Sequence, residues 1–154
     1  MVLKLFHIVE PDVALFGRKD LQQLRVIEQM ITDLDLAVSI IPGDICREED
    51  GLAMSSRNAR LGPEGRRTAL GLPRALTLAV EVLKGGGTVE EARGKATEVM
   101  TRAGGRVDYL EVVEPRRLSV VKGEVTVGGG FVVLGAMHVG DVRLIDNLEG
   151  RREA

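Results

Sequence analysis

The sequence predicts an α/β fold in which a parallel βαβ unit is followed by a small α+β domain with an antiparallel sheet. Two observations lead to this prediction. Near the start of the chain, an amphipathic helical pattern lies between two short apolar runs. Over the last third, runs rich in β-branched residues alternate with glycine-containing turns. A packed core is expected, because 44% of the 154 residues are hydrophobic.

The βαβ unit is expected within the first 45 residues. Asp12–Phe16 and Val38–Ile41 are short apolar runs that suit strands. From Lys19 to Leu34, hydrophobic residues recur at spacings of three and four, which gives a helix one buried stripe. A strand, helix and strand in this order favour a parallel pair with a right-handed crossover. Because ligands favour the carboxyl ends of such strands, the turn at Gly17–Asp20 is a candidate binding site.

The domain boundary is expected in a loop that spans residues 42–63. This loop contains Pro-Gly and Asp-Gly dipeptides and a high density of charged residues. We therefore divide the chain into residues 1–45, the end of the domain to which the βαβ unit belongs, and residues 46–154, a small C-terminal α+β domain.

Two helical segments and four strands are expected in the second domain. The first helical segment begins at Pro63, ends near Leu83 and should be kinked or split at Pro73. Thr88 and Glu91 form a capping box for the next helix. The predicted strands are Val107–Val113, Glu124–Val127, Phe131–Met137 and Val142–Ile145.

Composition excludes several functional classes. With 21 basic and 23 acidic side chains the net charge is −2, so no overall field attracts nucleic acid or an anionic membrane. Three Phe, one Tyr and no Trp offer few stacking platforms for single-stranded nucleic acid. An arginine-rich stretch from Arg57 to Arg74 is interrupted by acidic residues and is interpreted as a solvated helix face. One cysteine and two histidines predict no structural metal site. No apolar run approaches membrane-spanning length and no signal peptide is evident, so a cytoplasmic location is expected.

The first motif whose residues could form a binding or catalytic site is Phe-Gly-Arg-Lys-Asp-Leu-Gln-Gln-Leu at residues 16–24. A helix that begins directly after a strand presents unpaired backbone N–H groups, which bind anions well. Lys19 and Gln23 are four residues apart and can share a helix face, and Asp20 could accept from a sugar hydroxyl. Alternatively, Asp20 is only a favourable charge in the first helical turn and Lys19 a solvated flanking residue.

The second motif is Arg-Glu-Glu-Asp-Gly-Leu-Ala-Met-Ser-Ser-Arg-Asn at residues 47–58. Hydroxyl groups of Ser55 and Ser56 can donate to phosphate oxygens, and Arg57 offers a planar fork of donors. The loop is therefore a candidate phosphate clamp. Alternatively, one serine caps a local turn and Arg57 is simply exposed.

Together the two motifs resemble the pantothenate synthetases, which carry Phe-Gly-x-Lys-Asp-x-Gln-Gln and later Arg-Glu-x-Asp-Gly-Leu-Ala-x-Ser-Ser-Arg-Asn. Blocks at 4–12 and 143–147 also match, so the resemblance extends over nearly the whole chain. It implies an end portion of a Rossmann-like domain, with a smaller C-terminal lid domain. It also implies that ATP and pantoate form a pantoyl adenylate, from which β-alanine displaces AMP, with Mg²⁺ as the accompanying metal.

The resemblance implies a role for each matching residue. Lys19, Ser55, Ser56 and Arg57 would hold the ATP phosphates, and Gln23 would bind pantoate. Gly17 and Asp20 would contact the ribose, and Met54 would lie near the adenine on a mobile loop. Two departures concern the nucleotide: Arg18 stands where the family usually has Glu, and Pro42-Gly43-Asp44 replaces Gly-Val-Pro.

The family's His-x-Gly-His motif has no counterpart here, because His7 and His138 fit neither its spacing nor its position. We therefore expect the chain by itself to form no adenylate, and to self-associate as a homo-oligomer or to pair with the missing N-terminal half. The alternative is a non-catalytic nucleotide-binding or interaction module derived from the family.

Overall fold

The computed structural model describes residues 1–153. The chain divides into two compact units, Met1–Ile45 (unit 1) and Cys46–Ala154 (unit 2). Each unit is described by itself.

Unit 1 contains the expected βαβ arrangement, preceded in the chain by an additional helix. Its elements are α1 (Val2–Val9), β1 (Val13–Gly17), a 3-10 turn (Arg18–Asp20), α2 (Leu21–Asp33) and β2 (Ser39–Gly43). β1 and β2 pair in parallel, which confirms the predicted unit. β2 extends through Pro42 and Gly43, which sequence analysis had assigned to a loop. Proline is tolerated in β2 because this strand lies at the edge of a two-stranded sheet.

Unit 1 has a small core. α2 buries Leu21, Leu24 and Ile27 along the predicted stripe. Phe6 of α1 meets Phe16 of β1 edge to face, with ring centroids 6.3 Å apart. In contrast, Leu15 in the middle of β1 is 72% exposed.

Unit 2 packs helices on an antiparallel sheet. After a 3-10 helix at Ser56–Arg60, its elements are α3 (Pro63–Ala69), α4 (Gly71–Lys84), α5 (Val89–Arg102), β3 (Arg106–Val113), β4 (Gly130–Val139) and β5 (Val142–Arg151). The sheet order is β3-β4-β5, with both pairings antiparallel. The α/β class and the antiparallel second sheet are therefore confirmed.

Local sequence signals explain the helix boundaries of unit 2. α3 ends at Ala69 and α4 begins at Gly71, so that Pro73 lies in the first turn of a new helix. That position tolerates proline because its missing N–H has little to bond there. The Thr88–Glu91 capping box is formed in both directions, with bonds of 3.0 and 3.1 Å.

The strand predicted at Glu124–Val127 is wrong. Val125 is buried at 4% exposure, which explains its hydrophobic signal, but no strand pairs with this segment. Instead, Arg152 Nη1 donates to the Val125 carbonyl at 2.7 Å and forms an ion pair with Glu124 at 2.9 Å. A side chain therefore takes the place of a neighbouring strand.

The core of unit 2 is formed between α4, α5 and the sheet. Leu72 and Leu76 of α4 lie so close to β4 that a Cβ at Gly135 would meet them at 2.9 and 3.1 Å. Phe131 and Met137 of β4 are fully buried in the same cluster. A side chain at 135 would push these leucine side chains aside, so glycine suits this close packing.

Candidate functional site

In unit 1 the candidate residues lie at the carboxyl edge of the parallel sheet. Gly17 and Gly43, the last residues of β1 and β2, are paired in register. Gly17 has an ordinary φ of −71°, and a Cβ there would meet nothing within 4 Å. Its backbone therefore does not need glycine, and the absent side chain leaves open space beside the strand ends.

The polar residues of this motif follow directly after Gly17. Lys19 and Asp20 lie in the 3-10 turn, and Gln23 is exposed in the first turn of α2. Asp20 is the N-cap of α2, and its carboxylate accepts from the Gln23 N–H at 3.4 Å. Asp20 therefore caps α2, a role that the sequence analysis did not assign, and its carboxylate is exposed.

The two departures from the family motif in unit 1 face each other. Arg18 Nη1 lies 3.9 Å from Asp44 Oδ1, and both side chains are largely exposed at 42% and 94%. A pair this exposed contributes little to stability, about 0–1 kcal/mol. It does show that the acidic residue at 44 offsets the added positive charge at 18.

In unit 2 residues 47–54 form a small hairpin. Arg47 and Ala53 form an antiparallel bridge, and the Glu48 N–H donates to the Leu52 carbonyl at 2.9 Å. Gly51 makes the reversal with a φ of 91°, which disfavours other residues. Leu52 is buried beneath the hairpin at 2% exposure.

Arg47 anchors the hairpin to β5. Its Nη1 and Nη2 bind the two carboxylate oxygens of Asp146 at 2.7 and 3.0 Å. Nη2 also donates to the Asn147 carbonyl at 3.3 Å. The Asp146 side chain is only 1% exposed, whereas that of Arg47 is 29% exposed, so the carboxylate side of this bidentate pair is the one shielded from water.

Arg66 of α3 anchors the other side of the hairpin. It binds Asp50 and Glu48 through hydrogen bonds of 2.6 to 2.8 Å. Hydrogen bonds from Asn58 and Arg66 hold the pKa of Glu48 below its usual value, and Arg66 does the same for the pKa of Asp50. Both carboxylates in turn raise the pKa of Arg66.

Ser55, Ser56 and Arg57 follow this anchored hairpin. Ser55 caps the 3-10 helix by accepting from the Arg57 N–H at 3.2 Å, which confirms a local capping role for one serine. Ser56 and Arg57 are exposed. Within residues 1–153 the Arg57 guanidinium makes no hydrogen bond or ion pair. Met54 precedes them and is 56% exposed.

None of three cavities contains these residues. One of them, of about 440 Å³ in unit 2, is lined by Pro115 and Gly130. A cleft of about 430 Å³ in unit 2 is bordered by α4 and by Arg47 and Leu148. A cavity of about 340 Å³ in unit 1 is lined by Asp12 and Val38, at the amino ends of the strands. Over residues 1–153 there is no cluster of three metal-ligating side chains, and no helix is long and apolar enough to cross a bilayer. The candidate residues therefore lie outside these three cavities.

Comparison with known proteins decides the family. The family model described as pantoate-beta-alanine ligase matches residues 1–149. The chain belongs to this family. It is 48% identical over 150 residues to the pantoate–β-alanine ligase of Oryza sativa subsp. japonica, covering 97% of this chain and 47% of that protein. The pantoate–β-alanine ligase of Arabidopsis thaliana is 46% identical over 150 residues, with the same coverage.

Solved structures of family members share the fold. Pantothenate synthetase from Thermus thermophilus superposes with a TM-score of 0.85 at 42% identity, covering 96% of this chain and 52% of that one. The ligase from Francisella tularensis, complexed with β-γ ATP and β-alanine, gives a TM-score of 0.68 at 26% identity, covering 96% and 47%. The chain spans about half the length of the curated relatives it matches.

Sequence reasoning missed the residues that anchor the hairpin of this ligase family member. Arg66 was interpreted as part of a solvated helix face, which is wrong for Arg66 but describes its neighbour Arg67, whose side chain is 71% exposed. Asp146 lies in the 143–147 block that resembled the family, but the block suggested no role. Its position among hydrophobic strand residues was the available signal, since a buried carboxylate needs a partner.

Proposed function

We propose that this chain supplies the ATP-phosphate clamp of a pantoate–β-alanine ligase. The observation that carries the proposal is the exposed Arg57, which is unpaired within residues 1–153, next to Ser56 and directly after an anchored hairpin. In the reaction, the pantoate carboxylate attacks the α-phosphorus of ATP and the bond to pyrophosphate breaks. The amine of β-alanine then attacks the acyl carbon of pantoyl adenylate, and AMP leaves.

Unit 2 would act on the departing pyrophosphate. Ser55, Ser56 and Arg57 would donate to phosphate oxygens, and Met54 would contact the adenine. Negative charge moves onto pyrophosphate as its bond to the α-phosphorus breaks, so fixed donors there stabilise the transition state more than the ground state. Guanidinium suits this role because its planar fork matches phosphate oxygens and stays protonated.

Unit 1 would supply the other contacts. Lys19 would bind phosphate and Gln23 would hydrogen-bond pantoate, since both follow the end of β1 closely. Gly17 and Asp20 would contact the ribose. The open space beside Gly17 supports this assignment, because a side chain there would occupy space that a ligand could use. Placement at the carboxyl ends of parallel strands supports it as well.

Mg²⁺ would enter with ATP. This ion keeps several waters and binds through substrate phosphates with one or two carboxylates, so it does not need a cage of protein ligands. Over residues 1–153 no group of three metal-ligating side chains occurs, so this chain would leave the ion to the phosphates and water. Bound in this way, Mg²⁺ would neutralise charge on the phosphates.

The experiment compares arginine variants in a protein completed with the other half of the family fold. Arg57→Lys should lower pantoate-dependent ATP–pyrophosphate exchange by about 10²–10³, the cost of removing one preorganised donor. Arg60→Lys is the matched control, because Arg60 is exposed in the same 3-10 helix, and it should stay within about twofold. Unchanged exchange in Arg57→Lys would show that Arg57 is only a surface residue.

The chain by itself tests the remaining part of the proposal. We propose that it forms no pantoyl adenylate and that it self-associates, or pairs with the missing half, through exposed apolar residues such as Leu15 and Ile41. Light scattering after gel filtration and an exchange assay measure both properties. A monomer with pantoate-dependent exchange would contradict this proposal. Nucleotide binding without exchange in the completed protein would instead favour a non-catalytic module.

A further inference from the structure

Arg66 makes three side-chain hydrogen bonds to the hairpin at residues 47–54. Its Nε and Nη2 each donate to one oxygen of Asp50 at 2.8 Å, which is a bidentate fork. Nη2 also donates to Glu48 Oε2 at 2.6 Å. A lysine ammonium could not reproduce this geometry, because it is a point charge without a fixed plane.

The contact continues from Glu48 to Asn58. Glu48 Oε1, the oxygen that Arg66 does not bind, accepts from Asn58 Nδ2 at 2.5 Å. The same Nδ2 donates to the Ala53 carbonyl at 3.1 Å. Asn58 is 7% exposed and its Oδ1 has no partner within residues 1–153. Exchanging the amide nitrogen and oxygen would place Oδ1 against two acceptors, so these contacts fix the orientation of the side chain.

Asn58 shares its 3-10 helix with the clamp residues. The Asn58 N–H donates to the Ser55 carbonyl at 3.0 Å, and the Arg57 N–H donates to the Ser55 hydroxyl at 3.2 Å. A displacement of Asn58 would therefore shift the backbone that carries Arg57. Arg66 is thereby connected to the clamp through two side chains, Glu48 and Asn58.

The same contacts decide which charges remain available. Arg66 occupies the carboxylates of Glu48 and Asp50, whose side chains are 31% and 34% exposed. Arg57 has no internal ion pair within residues 1–153. Without Arg66, two unneutralised carboxylates would lie in the segment that carries Arg57. They would repel phosphate and could attract the Arg57 guanidinium.

We propose that Arg66 is a positioning residue for the phosphate clamp Ser55–Arg57. It acts through Glu48 and Asn58, without contacting the ligand, to orient the clamp and to keep Arg57 available for phosphate. This inference rests on the proposed function, because it deepens the role given there to the clamp.

The test measures binding of inorganic pyrophosphate to the 154-residue chain by isothermal titration calorimetry. Arg66→Met should weaken binding by about tenfold or more, since small misplacements of binding groups are costly. Arg66→Lys should bind pyrophosphate more tightly than Arg66→Met but less tightly than the unaltered chain, because it keeps only the positive charge. Arg67→Met is the matched control, because Arg67 is 71% exposed and pairs only with Glu64 at 3.5 Å among residues 1–153, and it should stay within about twofold.

A second pair of variants tests transmission through Glu48 even if Arg66→Met folds poorly. Glu48→Gln keeps an oxygen acceptor for Asn58, whereas Glu48→Leu removes it at similar size. We expect Glu48→Leu to weaken pyrophosphate binding several-fold more than Glu48→Gln. Amide hydrogen exchange should rise at residues 55–58 and stay unchanged in β4, which a general loss of stability would not produce.

Each outcome separates this inference from the proposed function. No pyrophosphate binding by the unaltered chain overturns both. Binding by the unaltered chain that is equally strong in Arg66→Met overturns the positioning role and leaves the clamp standing. Equal weakening in Arg66→Met and Arg67→Met also overturns the positioning role, because only net charge would then matter.

Discussion

Unit 1 and unit 2 each contain a strand with a continuous apolar sequence, but the two strands are buried to different extents. The strands β1 and β4 both read as continuous apolar runs, the pattern of strands that are covered on both faces. In β4, Val132 and Val133 point to opposite faces and both are 0% exposed. In β1, Leu15 is 72% exposed. An apolar run thus indicates that both faces of a strand need to be buried. β4 is buried on both faces, whereas β1 is not.

The sharpest way to break this comparison is to separate the units. Residues 46–154 alone should fold and unfold cooperatively, because their core is complete, whereas residues 1–45 alone should remain largely unfolded. A two-stranded sheet in a chain this short is at best marginal. Circular dichroism during thermal unfolding measures both fragments. Cooperative unfolding of residues 1–45 would contradict the prediction.

The second prediction compares one leucine from each unit. Leu76→Ala should lower the free energy of unfolding by about 2–5 kcal/mol, because Leu76 is 1% exposed and packs against β4. Leu15→Ala should change it by less than about 0.5 kcal/mol. Urea unfolding of both variants tests the contrast. Similar losses would mean that β1 is covered in solution.

The third prediction concerns the contacts that hold the hairpin at residues 47–54 in unit 2. Asp146→Ala should cost about 1.5–3 kcal/mol, because it removes the carboxylate that binds Arg47 at 2.7 and 3.0 Å. The control is Asp108→Ala, which removes a 2.8 Å pair with Arg143 whose side chains are 36% and 45% exposed. That loss should stay below about 1 kcal/mol. Equal costs in chemical denaturation would contradict the distinction.

The smallest expected effect is a loss of the thermal stability of unit 2 at acidic pH. The pKa values of Glu48 and Asp50 lie below their usual 4.5 and 3.8, with Asn58 and Arg66 as the main causes. Their stabilising effect is therefore complete above the unfolded-state values and is lost as pH falls through the folded-state values. The thermal midpoint should fall as pH drops below about 4.5.

A double variant isolates these two carboxylates. Glu48→Gln with Asp50→Asn should flatten the dependence of the thermal midpoint on pH between about 6 and about 3, since neither group can then release a proton on folding. Glu124→Gln serves as the control, because Glu124 is 60% exposed in its pair with Arg152. Identical slopes in the double variant and the unaltered chain would assign the acid response to other groups.

Elements with strong local signals were predictable from the sequence. The helical stripe of α2, the Thr88–Glu91 box and the break near Pro73 appear where the pattern placed them. Val125 misled the prediction because burial, not strand pairing, explains its hydrophobicity. A buried side chain in an unpaired segment has the same local signal as one in a strand.

The candidate site was predictable as motifs, but its supporting contacts were not. Arg66 and Asp146 act over separations of 16 to 99 residues from their partners. No periodicity or spacing rule reports such contacts, because they depend on how α3 and β5 fold back toward the hairpin. The sequence gives no reason to distinguish Arg66 from Arg67. Arg66 nevertheless pairs with Glu48 and Asp50, whereas the Arg67 side chain is 71% exposed.

The contact between Arg152 and the segment around Val125 has a practical consequence for proteolysis. This segment is held by the Arg152 side chain and by single backbone hydrogen bonds at Gly123 and Gly128 rather than by a continuous ladder, so it should open locally more often than β4. Lys122 is exposed just before it, which offers trypsin a cleavage point. A nick there would leave β3 and β4 on different peptides that stay associated through their backbone pairing. The two fragments would comigrate in gel filtration and separate only under denaturing conditions.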